Sequence, residues 1–86
     1  MIEKIGERVS VSLIYNANTG KLLPSHLKWK NQLFYIHQLG LHYTRYEGTT
    51  LIHMFSVCDQ THYFLLSLDT KTLHWTLEQI ADGVTN

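Results

Sequence analysis

The chain holds a single cysteine, Cys58, among its 86 residues. No intrachain disulfide can form, and a cysteine-based zinc site lacks its thiolates. A reactive thiol needs a nearby cation or a helix N-terminus. The local sequence offers neither, so Cys58 reads as a small residue at a strand end. Charge is also scarce: 16% of residues are charged, against about 25% in an average globular domain. With so few charges, some apolar surface is expected to be covered by a partner, a second copy of the chain included. Apolar runs are only a few residues long, far below the roughly 20 needed to span a membrane. The opening "MIEKIGERVS" carries both signs of charge and no apolar signal region. A soluble, cytoplasmic protein with no membrane partner is the expectation. Nucleophile-elbow, phosphate-loop and zinc-protease motifs are all missing. No repeat, linker or low-complexity tract divides the chain, and its length fits one domain spanning 1–86.

What is present is β-forming sequence of period two. "RVSVSLIY" alternates at Val9, Val11, Leu13 and Tyr15, the pattern of a strand with one wet face. "NANTG" follows as a turn cluster. The lone proline, Pro24, precedes "SHLKWK", where Leu27 and Trp29 alternate with polar neighbours. Asn31-Gln32 is placed as a tight turn before the extended run "LFYIHQLGLHYTRY". Gly40 inside that run predicts a bulge or bend that curls the sheet.

The second half reads as a meander: "TTLIHMFSV", "HYFLLSL" and "LHWTLEQI". Two-residue turns at Glu47-Gly48, Asp59-Gln60 and Thr70-Lys71 put Leu51, Phe55 and Val57 on one face. Phe64, Leu66 and Leu68 join them, then Leu73, Trp75 and Leu77. These nine residues form the expected core. A second apolar patch lies on the opposite face, around Tyr43, Ile52, Met54, Tyr63 and Leu65, with Ser67, His74 and Thr76. Either the N-terminal segment, with Ile2 and Ile5 at helical spacing, or a dimer partner would cover it. At the C-terminus, Thr76-Leu77-Glu78-Gln79 fits a capping box and Gly83 a helix C-cap. One or two helical turns over 77–82 therefore compete with a strand. The fold expected is all-β, an antiparallel meander of about six strands curled into an open barrel or half-barrel, with or without a short terminal helix.

Six histidines are many for this length. None forms an HxH or a helical i, i+4 pair. The Glu47-Gly48 turn would set His42 directly opposite His53, with Cβ atoms about 5 Å apart, a spacing that suits two ligands of one zinc or copper ion. No carboxylate is placed to supply a third ligand. The plainer reading makes both structural, and no cofactor is expected.

The charge is unevenly spread although the net is zero. Arg8, Lys21, Lys28, Lys30 and Arg45 precede Tyr46 without an acidic residue between them; Glu47, Asp59, Asp69, Glu78 and Asp82 follow, against Lys71 alone. Lys28, Trp29, Lys30, Tyr43 and Arg45 make a candidate single-strand nucleic-acid surface, in which cations track phosphates and rings stack on bases. Against it, a pI near 7 is well below the value of about 9 typical of such domains. The alternative places Trp29 and Tyr35 in the core and the lysines on a solvated face.

"LPSHLKWKNQLFYI" and "HYFLLSLDTKTLHWTLEQIADG" resemble small uncharacterised bacterial β-domains, through Pro24, Trp29, Tyr35, Asp69, Trp75, Leu77 and Glu78. The resemblance implies a compact β fold and carries over no activity. The sequence favours a non-enzymatic protein-interaction or self-association module, with nucleic-acid binding second and a histidine-based metal site third.

Overall fold

The computed structural model describes residues 2–82. Eight strands follow one another: β1 (Ile2–Arg8), β2 (Ser10–Asn16), β3 (Lys21–Trp29), β4 (Gln32–Tyr35), β5 (Gln38–Glu47), β6 (Thr50–Cys58), β7 (His62–Asp69) and β8 (Trp75–Asp82). They form two antiparallel sheets, one of five strands in the order β1-β8-β7-β6-β5 and one of three, β2-β3-β4. The all-β antiparallel architecture is as expected. There are two sheets rather than one, and no closed barrel is found among the described residues.

The extra strands come from two places. Ile2–Arg8 is not a covering helix but the edge strand β1, paired with β8. The long run from 32 to 47 is cut at Ile36-His37, where the chain leaves one sheet for the other. The Ile36 amide donates to the Ser25 carbonyl at 2.9 Å and the His37 amide to the Cys58 carbonyl at 2.8 Å. Val9 alone joins β1 to β2, its amide donating to the Trp75 carbonyl at 3.1 Å. These short corners fold one sheet over the other while the amides of Val9, Ile36 and His37 keep backbone partners.

The capping box at 76–79 goes unused, and no helix occurs among the described residues. Two isolated helical turns would be marginal in water. As a strand, β8 instead buries Leu77 completely and packs Ile80 on the core. Gly83, the expected C-cap, lies outside the described residues.

The core fills the space between the sheets. Leu27 and Phe34 come from the smaller sheet; Phe55, Val57, Phe64, Leu66 and Leu77 come from the larger. Phe34 meets Phe64 edge-on at 5.2 Å between ring centroids, a favourable geometry for aromatic quadrupoles. β3 runs across the inner face of the large sheet. Its start, at Lys21 and Leu22, lies beside Leu39 and His42 of β5, and its end, at Trp29, lies beside Glu3 of β1 and Ala81 of β8.

Every meander turn sits further along the chain than the sequence placed it. Glu47 pairs with Thr50, so Gly48-Thr49 is the first turn; Gly48 takes φ +61°, as the first position of a type II′ hairpin requires. The second centres on Gln60-Thr61, since the Asp59 amide bonds the His62 carbonyl. The third is a loop from Thr70 to Leu73, closed by the Asp69 amide on the His74 carbonyl. Beside the turns each change moves strand partners by two residues, so faces are conserved and most expected core residues stay inside; a bulge between Leu65 and Leu66 adds one more, bringing Ile80 opposite Phe64. Leu51 and Leu73 are exceptions: Leu51 is half-buried outside the core cluster, and Leu73 occupies the last loop position at φ +64° and is 70% exposed. The β3–β4 turn is Lys30-Asn31, both at positive φ, rather than Asn31-Gln32.

Gly40 forms the expected bulge, between the pairs Leu39–Val57 and Leu41–Ser56. A Cβ there would lie 3.2 Å from the Ser56 carbonyl oxygen, tighter than ordinary contact. The extra residue sends Leu39 inward and Leu41 outward.

Candidate functional site

His42 and His53 do come together, though not as directly opposed partners. With the turn at Gly48-Thr49, His42 pairs with Phe55 and His53 with Thr44. The histidines are diagonal neighbours on the inner face. His42 Nε2 lies 2.8 Å from His53 Nδ1, so one ring carries the shared proton and the other accepts it. His42 stacks on Phe55 at 4.3 Å between centroids, and Phe55 meets Trp75 at 5.4 Å. Desolvation against this stack, and then the charge of His53, lower the pKa of His42. No group of three or more metal-ligating side chains occurs among the described residues. The geometry is that of an aromatic stack with a shared proton at its exposed end.

Two other histidines are satisfied locally. His26 Nε2 lies 2.9 Å from Ser12 Oγ, and its ring meets Tyr35 at 5.6 Å. His62 lies beside Asp59 and stacks toward Phe34 and Phe64. Ser12 had no sequence signal as a histidine partner, because only the β2–β3 pairing brings them together.

The five nucleic-acid candidates divide into two groups. Lys28, Trp29 and Lys30 stay together, joined by Arg8, around one depression. Trp29 is packed against the core, and its indole N–H donates to Glu7 Oε1 at 3.0 Å. The Lys30 ammonium sits 4.7 Å from the centre of the ring, where a base would have to stack. Tyr43 and Arg45 lie on β5, at the edge of the other sheet and on its outer face. Arg45 there bonds Glu47 at 2.7 Å. The structure does not bring the two groups to one surface.

The outer face of the large sheet is the most distinctive feature. Ile52 and Met54, in β6 next to the edge strand β5, are buried there although the smaller sheet covers only the opposite side. A groove of about 420 Å³ runs over the same face, lined by Ile2, Leu41, Tyr43, Tyr63, Leu65 and Ala81, with Ser56 and Gln79 between them. Leu41 is 56% exposed and Tyr43 41%. The sequence pattern located most of this patch. It missed Leu41, although alternation from Tyr43 already puts that residue on the outer face, and Ile2, because β1 was read as a cover rather than a rim. Among the described residues nothing lies over the groove. No helix there is long and apolar enough to cross a membrane.

Comparison with protein-family models, with curated proteins and with solved structures returned no match.

Proposed function

We propose that the protein is a non-enzymatic interaction module whose outer sheet face receives a protein surface, a second copy of the chain being one such partner. One observation carries the reading: Ile2, Leu41, Tyr43, Tyr63 and Leu65 line one open, largely apolar groove on this face. Solvent-exposed apolar patches of this kind mark contact sites. Tyr43 and Tyr63 favour a protein partner, since tyrosine is enriched at interface centres. The half-barrel curl expected from Gly40 stays part of this reading, with its hollow on the core side and the groove on the opposite face.

Sedimentation velocity across a concentration series tests it, with wild type beside Tyr63→Glu on β7. Association that the charge at Tyr63 weakens would support the outer face as an interface. A strictly monomeric chain would remove the self-association part.

The nucleic-acid reading retains only the Arg8, Lys28 and Lys30 depression. Fluorescence anisotropy with short single-stranded DNA and RNA at low salt tests it. Salt-sensitive binding lost in Lys28→Ala would restore that reading.

A further inference from the structure

The open edge of the large sheet says how a second copy would bind. All residues from Leu41 to Glu47 in β5 are exposed, on both faces of the strand, although they include Leu41, His42, Tyr43 and Tyr46. β5 pairs only with β6. A two-residue hairpin closes with a hydrogen-bonded pair, here Glu47–Thr50, so Glu47, Arg45 and Tyr43 turn their backbone groups toward β6. The amides and carbonyls of His42, Thr44 and Tyr46 therefore point outward from the edge. An unpaired, regular edge of this kind is a template for another strand.

We infer that β5 pairs antiparallel with β5 of a second copy, centred on Thr44, to join two five-stranded sheets into one across a two-fold axis. The inference rests on the self-association reading above and names its contact. The register follows from the strand itself. Thr44 is the midpoint of the regular stretch, which is bounded by the Gly40 bulge and the Gly48 turn. With Thr44 opposite its own copy, each of the three outward residues donates and accepts one bond. Moving the centre to Arg45 would set two guanidinium groups against each other and pull Gly48 into the ladder. Moving it to Tyr43 would pull in the Gly40 bulge.

The Thr44 register also suits the side chains. Tyr43 falls opposite Arg45 of the other copy, a cation facing a ring. Thr44 faces Thr44, a favourable cross-strand pair. On the inner face His42 falls opposite the second copy's Tyr46, which is 70% exposed in the single chain. Beside His42 lies a depression of about 290 Å³ lined by Gly20, Lys21, Leu22 and Leu39, with room for that phenol ring. The outer faces of the two copies then run on from one another, placing both grooves on a single side of the dimer.

Leu41 and Glu47 of opposite copies become a non-hydrogen-bonded pair in this register, close enough for a disulfide. Within one chain they are about 20 Å apart along the strand and no bridge can form. The test is oxidation of Leu41→Cys/Glu47→Cys in a Cys58→Ser background, followed by non-reducing electrophoresis and intact mass. The expected product is a covalent dimer with two disulfides, and Leu41→Cys/Arg45→Cys, which reads the Tyr43-centred register, gives little. Thr44→Pro removes only an outward amide, so it should leave the circular dichroism spectrum intact and abolish the dimer of the otherwise wild-type chain in sedimentation. A wild-type dimer that survives Thr44→Pro, with no cross-link from the 41/47 pair, overturns edge pairing and leaves the outer-face reading standing. A chain that stays monomeric at sub-millimolar concentration overturns edge pairing together with the self-association part of the outer-face reading.

Discussion

The two edges of the large sheet face the same hazard and treat it differently. β1 has Glu3, Lys4, Glu7 and Arg8 among its seven residues, and its ladder breaks between Lys4 and Glu7, where Gly6 takes φ +68°. Charges and a bulge are the usual means of keeping an edge from pairing with another chain. β5 is longer and, beyond Gly40, regular; its only two charges, Arg45 and Glu47, bond each other. Its exposed side chains include Leu41, Tyr43 and Tyr46. A chain that blunts one edge and leaves the other flat, apolar and electrically neutral directs association to the second. Part of the exposed apolar surface belongs to this region: Leu41, Tyr43 and Tyr46 lie on the open edge strand, and Ile2 and Tyr63 line the groove beside it.

The comparison can be broken most severely through β6, which supports β5 from within. Phe55 is fully buried under His42 and Trp75. Phe55→Ala should cost about 3–5 kcal/mol in urea unfolding, much of the stability of a domain this small, whereas Tyr46→Ala should stay within about 0.5 kcal/mol. Equal effects would mean that β5 is part of the core. A smaller loss is expected at the blunted edge. Nothing lies within 4 Å of a Cβ built on Gly6, so Gly6→Ala should cost only the left-handed backbone strain, about 1–2 kcal/mol, and leave association unchanged. Tyr43→Lys would set a cation opposite Arg45 of the second copy, weakening the dimer by roughly 0.2–1 kcal/mol for each of the paired contacts. Tyr43→Glu, placing an anion there, should weaken it less. The order of the two dissociation constants is the check.

The smallest effect concerns pH. The pKa of His42 is lowered in the fold, chiefly by desolvation and then by His53, so the unfolded chain binds its proton more readily. Its stabilising contribution is complete above the unfolded pKa near 6.5. It is lost as pH falls from there through the lowered folded value. Urea midpoints should drop between pH 7.5 and pH 5.5 (values chosen to be roughly one unit either side), and His42→Asn should flatten the slope.

Much of this was legible because strand faces depend only on parity. All three meander turns were misplaced, yet each error moved the partners beside its turn by two, and Phe55, Val57, Phe64, Leu66 and Leu77 stayed on the core face. The turns themselves were harder, since they follow φ and side-chain bonding more than composition. Asp59 and Asp69 precede their loops and accept amide bonds, Asp59 from Thr61 and His62, Asp69 from Lys71 and Thr72. Aspartate in this role marks the residue before a turn. The contact of His42 with His53 survived for the same parity reason, as a diagonal pair. The division into two sheets was not legible. It depends on corners at Val9 and Ile36-His37 that carry no proline or glycine. The basic residues were overread: linear proximity suggested one surface, and the sheet order put Tyr43 and Arg45 far from Trp29.

Amide hydrogen exchange at His42, Thr44 and Tyr46, followed by NMR at low and high protein concentration, tests the open edge most directly. The three outward amides should exchange quickly in the dilute chain and become protected together as concentration rises, while Gly6 and Glu7 on β1 do not change. If the three stay unprotected in a sample that sedimentation shows to be dimeric, or are already protected in the dilute monomer, β5 is not the edge through which the copies meet.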